Sequence, residues 1–174
     1  MERERKSKGD RIDQEGSYLR PASETDMDVL FEWANEPLVR KNSFSSEKIC
    51  YEEHRKWFEG LLENENCRQY IYMYKGKETG QARITLNGEN AEISYSICAK
   101  MRGQGHGSKL LQSVCRQIQQ DFPEVRKLFG KVKTDNEASQ KAFKKAGYEE
   151  TYSVFEMQMP SCNAKEHSGS GIEG

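Results

Sequence analysis

The order of apolar and polar residues predicts an alternation of short strands and amphipathic helices. Apolar residues at every second position indicate half-buried strands, and apolar residues at every third or fourth position indicate helices packed on one side. The predicted strands span residues 17–21, 67–74, 80–86, 91–98, 127–132, 148–152 and 153–159, and the predicted helices lie around residues 27–34, 51–62, 110–118 and 137–146. A turn at Lys75-Gly76-Lys77 and a hairpin at Asn87-Gly88 make the second to fourth strands antiparallel. A helical crossover then sets residues 128–132 parallel to residues 95–98.

A turn dense in glycine, residues 101–108, joins the fourth strand to the third helix. Gly103, Gly105 and Gly107 tolerate positive φ angles and put no Cβ between the main chain and a bulky group. A strand followed by such a turn and a helix aims free amides and the positive helix end at an anion, and a diphosphate fits this arrangement. The spacing of these glycines does not fit a P-loop. The turn also lacks the third glycine of the dinucleotide-binding pattern. A purely structural turn is the alternative interpretation.

A second motif follows the fifth strand. Asn136 can cap a helix on which Ala142, Phe143 and Ala146 share one side, and Gly147 supplies the end of that helix. On these grounds alone the segment is an ordinary amphipathic helix.

The composition narrows the class of protein. The length of 174 residues predicts one domain, at residues 17–160, and 28 acidic residues against 27 basic ones argue against a nucleic-acid surface. No apolar run is long enough for a membrane span, and five cysteines without a C-x-x-C pair predict neither disulfides nor a metal site, which favours a reducing cytoplasm. Residues 1–16 are expected to form a charged, disordered arm that is no secretory signal, and residues 161–174 a flexible, linker-like tail.

Together the two motifs resemble the coenzyme-binding signatures of the GCN5-related N-acetyltransferase (GNAT) superfamily. The pattern Arg-x-x-Gly-x-Gly that starts at Arg102 is similar to the superfamily's pyrophosphate loop, and residues 136–148 are similar to its other coenzyme-binding helix. Residues 33–40 and 53–58 resemble a branch that includes ribosomal-protein and amino-sugar-nucleotide N-acetyltransferases. The resemblance implies an α/β (α+β) fold, a single GNAT-like domain with a central mixed, mostly antiparallel sheet of about six to seven strands flanked by about four helices.

The resemblance also implies a co-substrate and the residues that contact it. Acetyl-CoA is expected to react in a ternary complex without a covalent enzyme intermediate, and main-chain amides near Ile97 and Cys98 are expected to stabilise the oxyanion. The side chain of His106 is expected to face solvent. The predicted coenzyme-binding residues are Ile97, Cys98, Arg102, Gly103, Gln104, Gly105, His106, Gly107, Ser108, Asn136 and Ser139.

Two residues are candidates for proton transfer. Glu92 precedes the oxyanion region on the fourth strand, and we expect it to take the proton of the attacking amine directly or through a water; a surface glutamate in a cross-strand pair is the alternative. Many members of the superfamily carry a tyrosine seven residues after the motif's asparagine, and Phe143 stands there in this chain. Ser139 is the remaining hydroxyl on that helix and is expected to hydrogen-bond the leaving sulfur, with a bond to its own helix as the alternative.

The expected acceptor is a small-molecule primary amine, and within the branch we favour the amino group of a nucleotide-linked sugar. The candidates for contact with it are Arg40, Lys41, Phe44 and His54, and His54 is also a candidate packing residue. The alternative functions are acetylation of a protein N-terminus or another small amine, and a non-catalytic, regulatory acetyl-CoA-binding domain. We expect a monomer or homodimer with no nucleic-acid, membrane or metal partner.

Overall fold

The computed structural model describes residue 13 and residues 15–151 and builds them around one five-stranded sheet. In chain order the elements are β1 (Ser17–Pro21), α1 (Met27–Ala34), α2 (Pro37–Asn42), α3 (Tyr51–Glu63), β2 (Cys67–Tyr74), β3 (Lys77–Asn87), β4 (Asn90–Ile97), α4 (His106–Asp121), β5 (Lys127–Phe129) and α5 (Glu137–Lys145). Short 3-10 turns at Glu24–Asp26 and Ala99–Met101 precede α1 and follow β4. Among the described residues no helix has the length and hydropathy that a membrane span requires.

The five strands lie side by side in chain order. β1 to β4 are antiparallel neighbours, which confirms the arrangement predicted for the second to fourth strands and adds β1 beside β2. β5 returns after α4 and pairs in parallel with residues 90–92 of β4. This corrects the predicted register, which set residues 128–132 against residues 95–98. Because the pairing ends at Glu92 and Phe129, the C-terminal half of β4 has an open edge among the described residues.

The ring of Phe143 lies where the two parallel strands part. A Cβ at Gly130 would lie 2.4 Å from Cζ of Phe143 and 3.2 Å from the carbonyl oxygen of Ile93. The aromatic ring therefore fills the side-chain space of Gly130, and any larger residue at this position would collide with it. Beyond Gly130 the chain leaves β4 and leads into α5.

Apolar layers cover both faces of the sheet. On one face, α4 packs its buried residues against the strands, and the cluster includes Tyr72, Ala82, Ile84, Ala91, Leu110, Leu111, Val114 and Ile118. On the other face, α1 and α3 bury Leu30 and Phe58 against β2. The alternation of β4 follows this division, because Ile93 belongs to the α4 layer and Glu92 points to the opposite side.

The predicted fold class is confirmed, with differences in the number of elements. The described part holds five strands rather than about six to seven, and α2 is a helix that was not among those predicted. Pro37 begins α2 because its fixed φ angle suits the first helical turn. Residues 148–151 form no strand, and the rest of the predicted closing hairpin, residues 152–159, lies outside the described residues, as do the tail and most of the arm.

Candidate active site

The glycine turn presents a row of main-chain amides at the start of α4. Gly103 has a φ angle of +73°, and Gly105, the N-cap of α4, has +82°, so both lie in the left-handed region that glycine tolerates. Within the described chain, no amide of residues 103–108 donates a well-formed hydrogen bond to a main-chain carbonyl. Donors are therefore available where the helix dipole is positive, which is the geometry of an anion site.

Gly107 allows the first turn of α4 to pack closely against its neighbours. A Cβ at this position would lie 3.3 Å from Cβ of Ala142 and 3.4 Å from Cε2 of Tyr95. The first turn of α4 thus sits directly against α5 and β4, and this packing fixes the amides of the turn relative to both elements.

Lys145, at the end of α5, lies next to the glycine turn. The sequence did not indicate this residue as part of the site. Its Nζ lies 4.0 Å from the position that a Cβ would take at Gly105. The ammonium group therefore adds a positive charge next to the free amides. This proximity arises from the packing of α5 on α4, which the spacing of residues along the chain does not show.

The side chain of Arg102 is engaged by other groups of the protein. Its Nε donates to the carbonyl oxygen of Ile97 at 2.9 Å, and both terminal nitrogens donate to the carboxylate of Glu36. Glu36 is the N-cap residue of α2, so the ion pair joins the glycine turn to the first helices of the chain. Arg102 was predicted to contact the coenzyme, but in this arrangement its guanidinium is engaged and its amide donates to the carbonyl of Ala99 at 3.4 Å.

The polar side chains of the turn are directed towards other parts of the protein. His106 is 3% exposed, and its ring meets that of Tyr74 edge-on at 4.5 Å, which corrects the expectation that it faces solvent. Burial lowers the pKa of His106, so the imidazole is neutral at pH 7. The hydroxyl of Ser108 donates to the carbonyl of Gly105, and the side chain of Gln104 donates to the preceding turn. These residues offer amides rather than side chains to a ligand.

The open edge of β4 supplies further main-chain groups next to the turn. Alternate residues of an antiparallel strand bond to the same neighbour, and the amide of Cys98 donates to the carbonyl of Thr79 at 2.9 Å. Tyr95 and Ile97 fall in the other register, so their amides point to the side from which β5 has diverged. Of the two residues predicted to supply amides, Ile97 presents its amide at the open edge, as Tyr95 does, whereas the amide of Cys98 is engaged by Thr79.

Three residues meet at the N-terminal end of α5. Asn136 caps the helix, and its Oδ1 accepts the amide of Ser139 at 3.2 Å. The hydroxyl of Ser139 lies 3.1 Å from the hydroxyl of Tyr95 on β4. Burial raises the pKa of Tyr95, so the phenol keeps its proton at neutral pH. Tyr95 packs against the α4 layer, and the alternation of apolar residues along β4 does not reveal this hydroxyl contact.

Glu92 lies on the face of β4 that points away from α4. Its Oε2 accepts a hydrogen bond from Nζ of Lys131 at 3.0 Å, and 38% of its side chain is exposed. Both interpretations of Glu92, a base that acts through water and a surface residue in an ion pair, fit this position. In the part of the chain that the structure describes, no cluster of His, Cys, Asp or Glu residues could hold a metal ion.

The four residues predicted to contact the acceptor fall into two groups. Phe44 is 70% exposed, and Lys41 is exposed near the end of α2. Arg40 instead donates to three main-chain carbonyls between residues 34 and 47, so its guanidinium holds the loop after α2. His54 is 3% exposed and packs among three aromatic rings, which agrees with its interpretation as a packing residue.

Solved acetyltransferase structures have the same fold. The aminoglycoside acetyltransferase AAC(6')-Ib, crystallised with coenzyme A and kanamycin, is 23% identical with a TM-score of 0.70 and covers 79% of this chain and 87% of its own. RimL, a ribosomal L7/L12 alpha-N-protein acetyltransferase solved with coenzyme A, is 19% identical with a TM-score of 0.68 and covers 79% of this chain and 81% of its own. An acetyl transferase from Salmonella typhimurium that modifies the N-terminal serine of L7/L12 is 19% identical, with a TM-score of 0.67 and coverage of 79% and 82%. A search of curated protein sequences finds no match.

A family model supplies the sequence-level assignment. The model described as "Acetyltransferase (GNAT) domain" matches residues 18–149. The matched range runs from β1 to beyond the end of α5 and includes both glycine-turn and Asn136 motifs. The chain therefore belongs to the acetyltransferase (GNAT) domain family.

Proposed function

We propose that the chain transfers the acetyl group of acetyl-CoA to a primary amine in a ternary complex. The observation that carries this proposal is the row of free amides at residues 103–108, with Lys145 beside it and the open edge of β4 next to it. Amides at a helix N-terminus and an ammonium group suit the two phosphates of coenzyme A. The acyl arm would then extend along β4.

The main chain of β4 stabilises the charge that develops in the reaction. As the amine attacks, a bond forms between its nitrogen and the carbonyl carbon, and the carbon–sulfur bond breaks with its electron pair going to sulfur. The amides of Tyr95 and Ile97 point to this edge and can donate to the transient oxyanion. One such donor contributes roughly 3 kcal/mol, and the alignment of the amine contributes much of the remaining acceleration.

In this reaction Glu92 acts on the attacking amine and Ser139 acts on the departing sulfur. Glu92 accepts the proton of the amine through a water, which its partial exposure permits. Its ion pair with Lys131 is exposed and therefore weak, so it leaves the carboxylate free to act. Ser139 donates a hydrogen bond to the sulfur as the thiolate departs.

For the acceptor we favour the amino group of a nucleotide-linked sugar. Lys133, in the segment that leads to α5, donates to the carbonyl of Lys41 at 2.9 Å and so brings the exposed end of α2 close to α5. An ammonium group at Lys41 and the exposed ring of Phe44 suit a phosphate and a base. Arg40 supports the acceptor site indirectly by holding the loop after α2, and His54 does so by packing α3.

A panel of amines tests the proposal. A nucleotide-linked amino sugar, kanamycin and peptides with a free N-terminus are each mixed with acetyl-CoA, and the release of coenzyme A thiol is followed. We expect the sugar nucleotide to react fastest and Glu92→Gln to lower kcat more than about tenfold. Glu89→Gln, at an exposed residue of the neighbouring hairpin, is the control and should keep wild-type activity.

The other outcomes have distinct meanings. Turnover of peptides alone would remove the sugar acceptor and leave the acetyltransferase proposal intact. Calorimetric binding of acetyl-CoA without turnover of any amine would favour a regulatory, coenzyme-binding domain. A wild-type kcat for Glu92→Gln with the true acceptor would overturn its role as the base.

A further inference from the structure

A hydroxyl from β4 reaches the helix that lacks the superfamily's usual tyrosine. The hydroxyls of Tyr95 and Ser139 are 3.1 Å apart, although the two residues are 44 positions apart in the chain. In the described chain this is the hydrogen bond that the Ser139 hydroxyl makes, so its alternative interpretation, a bond to its own helix, does not apply. The pair bridges β4 and α5 next to the open strand edge.

Phe143 cannot supply this hydroxyl, and its ring is locked in place. Cζ of Phe143 abuts Gly130, where a Cβ would lie only 2.4 Å away. The ring also makes edge-on contacts with the rings of Tyr95 at 5.7 Å and Tyr148 at 5.0 Å. The phenol closest to Ser139 thus comes from the strand and not from the helix.

Both partners of the pair are held by their surroundings. The ring of Tyr95 packs against Gly107 and Phe143, and the backbone of Ser139 is fixed by the side chain of Asn136. Burial keeps the Tyr95 phenol protonated, so it can act as a donor. When Tyr95 donates to Oγ of Ser139, the hydroxyl hydrogen of Ser139 is directed away from Tyr95 and is free for another acceptor.

We propose that Tyr95 is a positioning residue that aims the hydroxyl of Ser139 at the sulfur of the departing coenzyme A thiolate. The inference rests on the proposed function. The carbon–sulfur bond breaks with its electron pair going to sulfur, and Ser139 donates a hydrogen bond to the charge that forms there. Tyr95 and Ser139 both keep their protons, and water supplies the proton that finally neutralises the thiolate.

The first test measures the thiol of bound coenzyme A and needs no acceptor. Coenzyme A is titrated with pH on saturated protein, and the thiolate absorbance is followed after subtraction of the coenzyme-free protein. Tyr95→Phe should shift the thiolate equilibrium about tenfold towards the thiol, because a hydrogen bond to a charged group contributes at least about 1.4 kcal/mol. Ser139→Ala should shift it as far or further, and the double variant no further than Ser139→Ala.

A matched control is present in the same cluster. Tyr148 also contacts Phe143, and its buried hydroxyl has no hydrogen-bond partner in the described chain. Tyr148→Phe removes an identical hydroxyl that does not touch Ser139, and it should leave the bound thiol unchanged. In the acceptor assay, Tyr95→Phe should lower kcat about tenfold with an unchanged Kd for coenzyme A.

The outcomes separate this inference from the proposed function. An unchanged thiolate equilibrium in Tyr95→Phe, an equal shift in Tyr148→Phe, or additive effects of Tyr95→Phe and Ser139→Ala would each overturn the role of Tyr95. The expected shifts without turnover of any amine would support Tyr95 and contradict the acetyltransferase proposal. Failure of coenzyme A to bind would overturn both.

Discussion

Arg102 of the glycine turn forms a two-pronged ion pair with Glu36, the residue that caps α2, while its Nε donates to the carbonyl of Ile97. The first contact reaches the segment proposed to receive the acceptor, and the second holds the end of β4. About a quarter of each charged side chain is exposed, at 26% for Arg102 and 24% for Glu36. The guanidinium of Arg102 therefore connects the glycine turn to the N-terminus of α2 and to the end of β4.

Breaking this ion pair should weaken coenzyme binding without removing a phosphate contact. We expect Glu36→Gln to raise the Kd of acetyl-CoA about fivefold, which corresponds to about 1 kcal/mol for a partly exposed pair. Calorimetry of Glu36→Gln, Arg102→Gln and the double variant measures the coupling between them. Glu53→Gln, at an exposed residue of α3, is the matched control. Additive effects of the two substitutions on the Kd would show that coenzyme binding does not depend on the ion pair.

Gly105→Ala tests the anion site directly. A φ angle of +82° costs an L-residue about 1–2 kcal/mol, and the added methyl group would approach Nζ of Lys145. The variant should bind acetyl-CoA at least about tenfold more weakly, as measured by calorimetry. Gly60→Ala lies on α3 with no atom near its Cβ, so it should leave binding unchanged and stabilise the fold slightly. Equal coenzyme affinity in both variants would count against the anion site.

His54 should make the protein less stable in mild acid. Burial lowers the pKa of His54 below its ordinary value of 6.5, so the unfolded chain binds the proton more readily than the folded one. Its contribution is therefore present above pH 6.5 and is lost as the pH falls through the lowered pKa of the folded state, with a limit of about 1.4 kcal/mol per pH unit. His106, whose pKa burial also lowers, adds a loss of the same sign.

Urea unfolding between pH 8 and pH 5 checks this prediction. His54→Phe should show a flatter pH dependence of the free energy of unfolding than the wild type. Its stability at pH 8 should be equal or greater, because Nε2 of His54 is buried without a partner in the described chain. Tyr51→Phe, on the same helix, is the control and should keep the wild-type slope. An unaltered slope in His54→Phe would contradict the prediction.

Phe143→Tyr should not improve the enzyme, although it restores the superfamily's more common residue. The added hydroxyl would sit on Cζ, which already abuts Gly130. The ring or the strand must shift to admit it, at a cost of about 1–3 kcal/mol for overpacking. Thermal unfolding should show a lower Tm, and kcat should not rise. A kcat above the wild-type value would show that the hydroxyl reaches the sulfur in place of Ser139.

The sequence was informative where function depends on local geometry. The sequence allowed positive φ angles at Gly103, Gly105 and Gly107, and the structure has them at the first two but not at Gly107, which lies inside α4. Asn136 could likewise be assigned as a cap because the interaction spans only three residues. Long-range relationships could not be obtained in this way, since the partner of Arg102 is 66 residues away and Lys145 reaches Gly105 only through helix packing.

The direction in which each amide of β4 points could not be predicted from the sequence either. Sequence alternation divides β4 into two faces, but it does not say which amides point to which neighbouring strand. The bond from Cys98 to Thr79 fixes that register, and with it the availability of Tyr95 and Ile97. β5 departs from β4 after Phe129, where Gly130 meets the ring of Phe143, and this contact joins residues that are separate along the chain.

α5 carries Ser139, whose hydroxyl is proposed to meet the thiol, near one end and Lys145, whose ammonium group is proposed to meet the phosphates, just past Lys144 at the other. Six residues of helix rise about 9 Å along the axis. In the proposed function, α5 therefore sets the spacing between the residues that contact the two ends of an acyl donor. A thioester whose arm is shorter than that of coenzyme A could satisfy one end of α5 only by giving up the other.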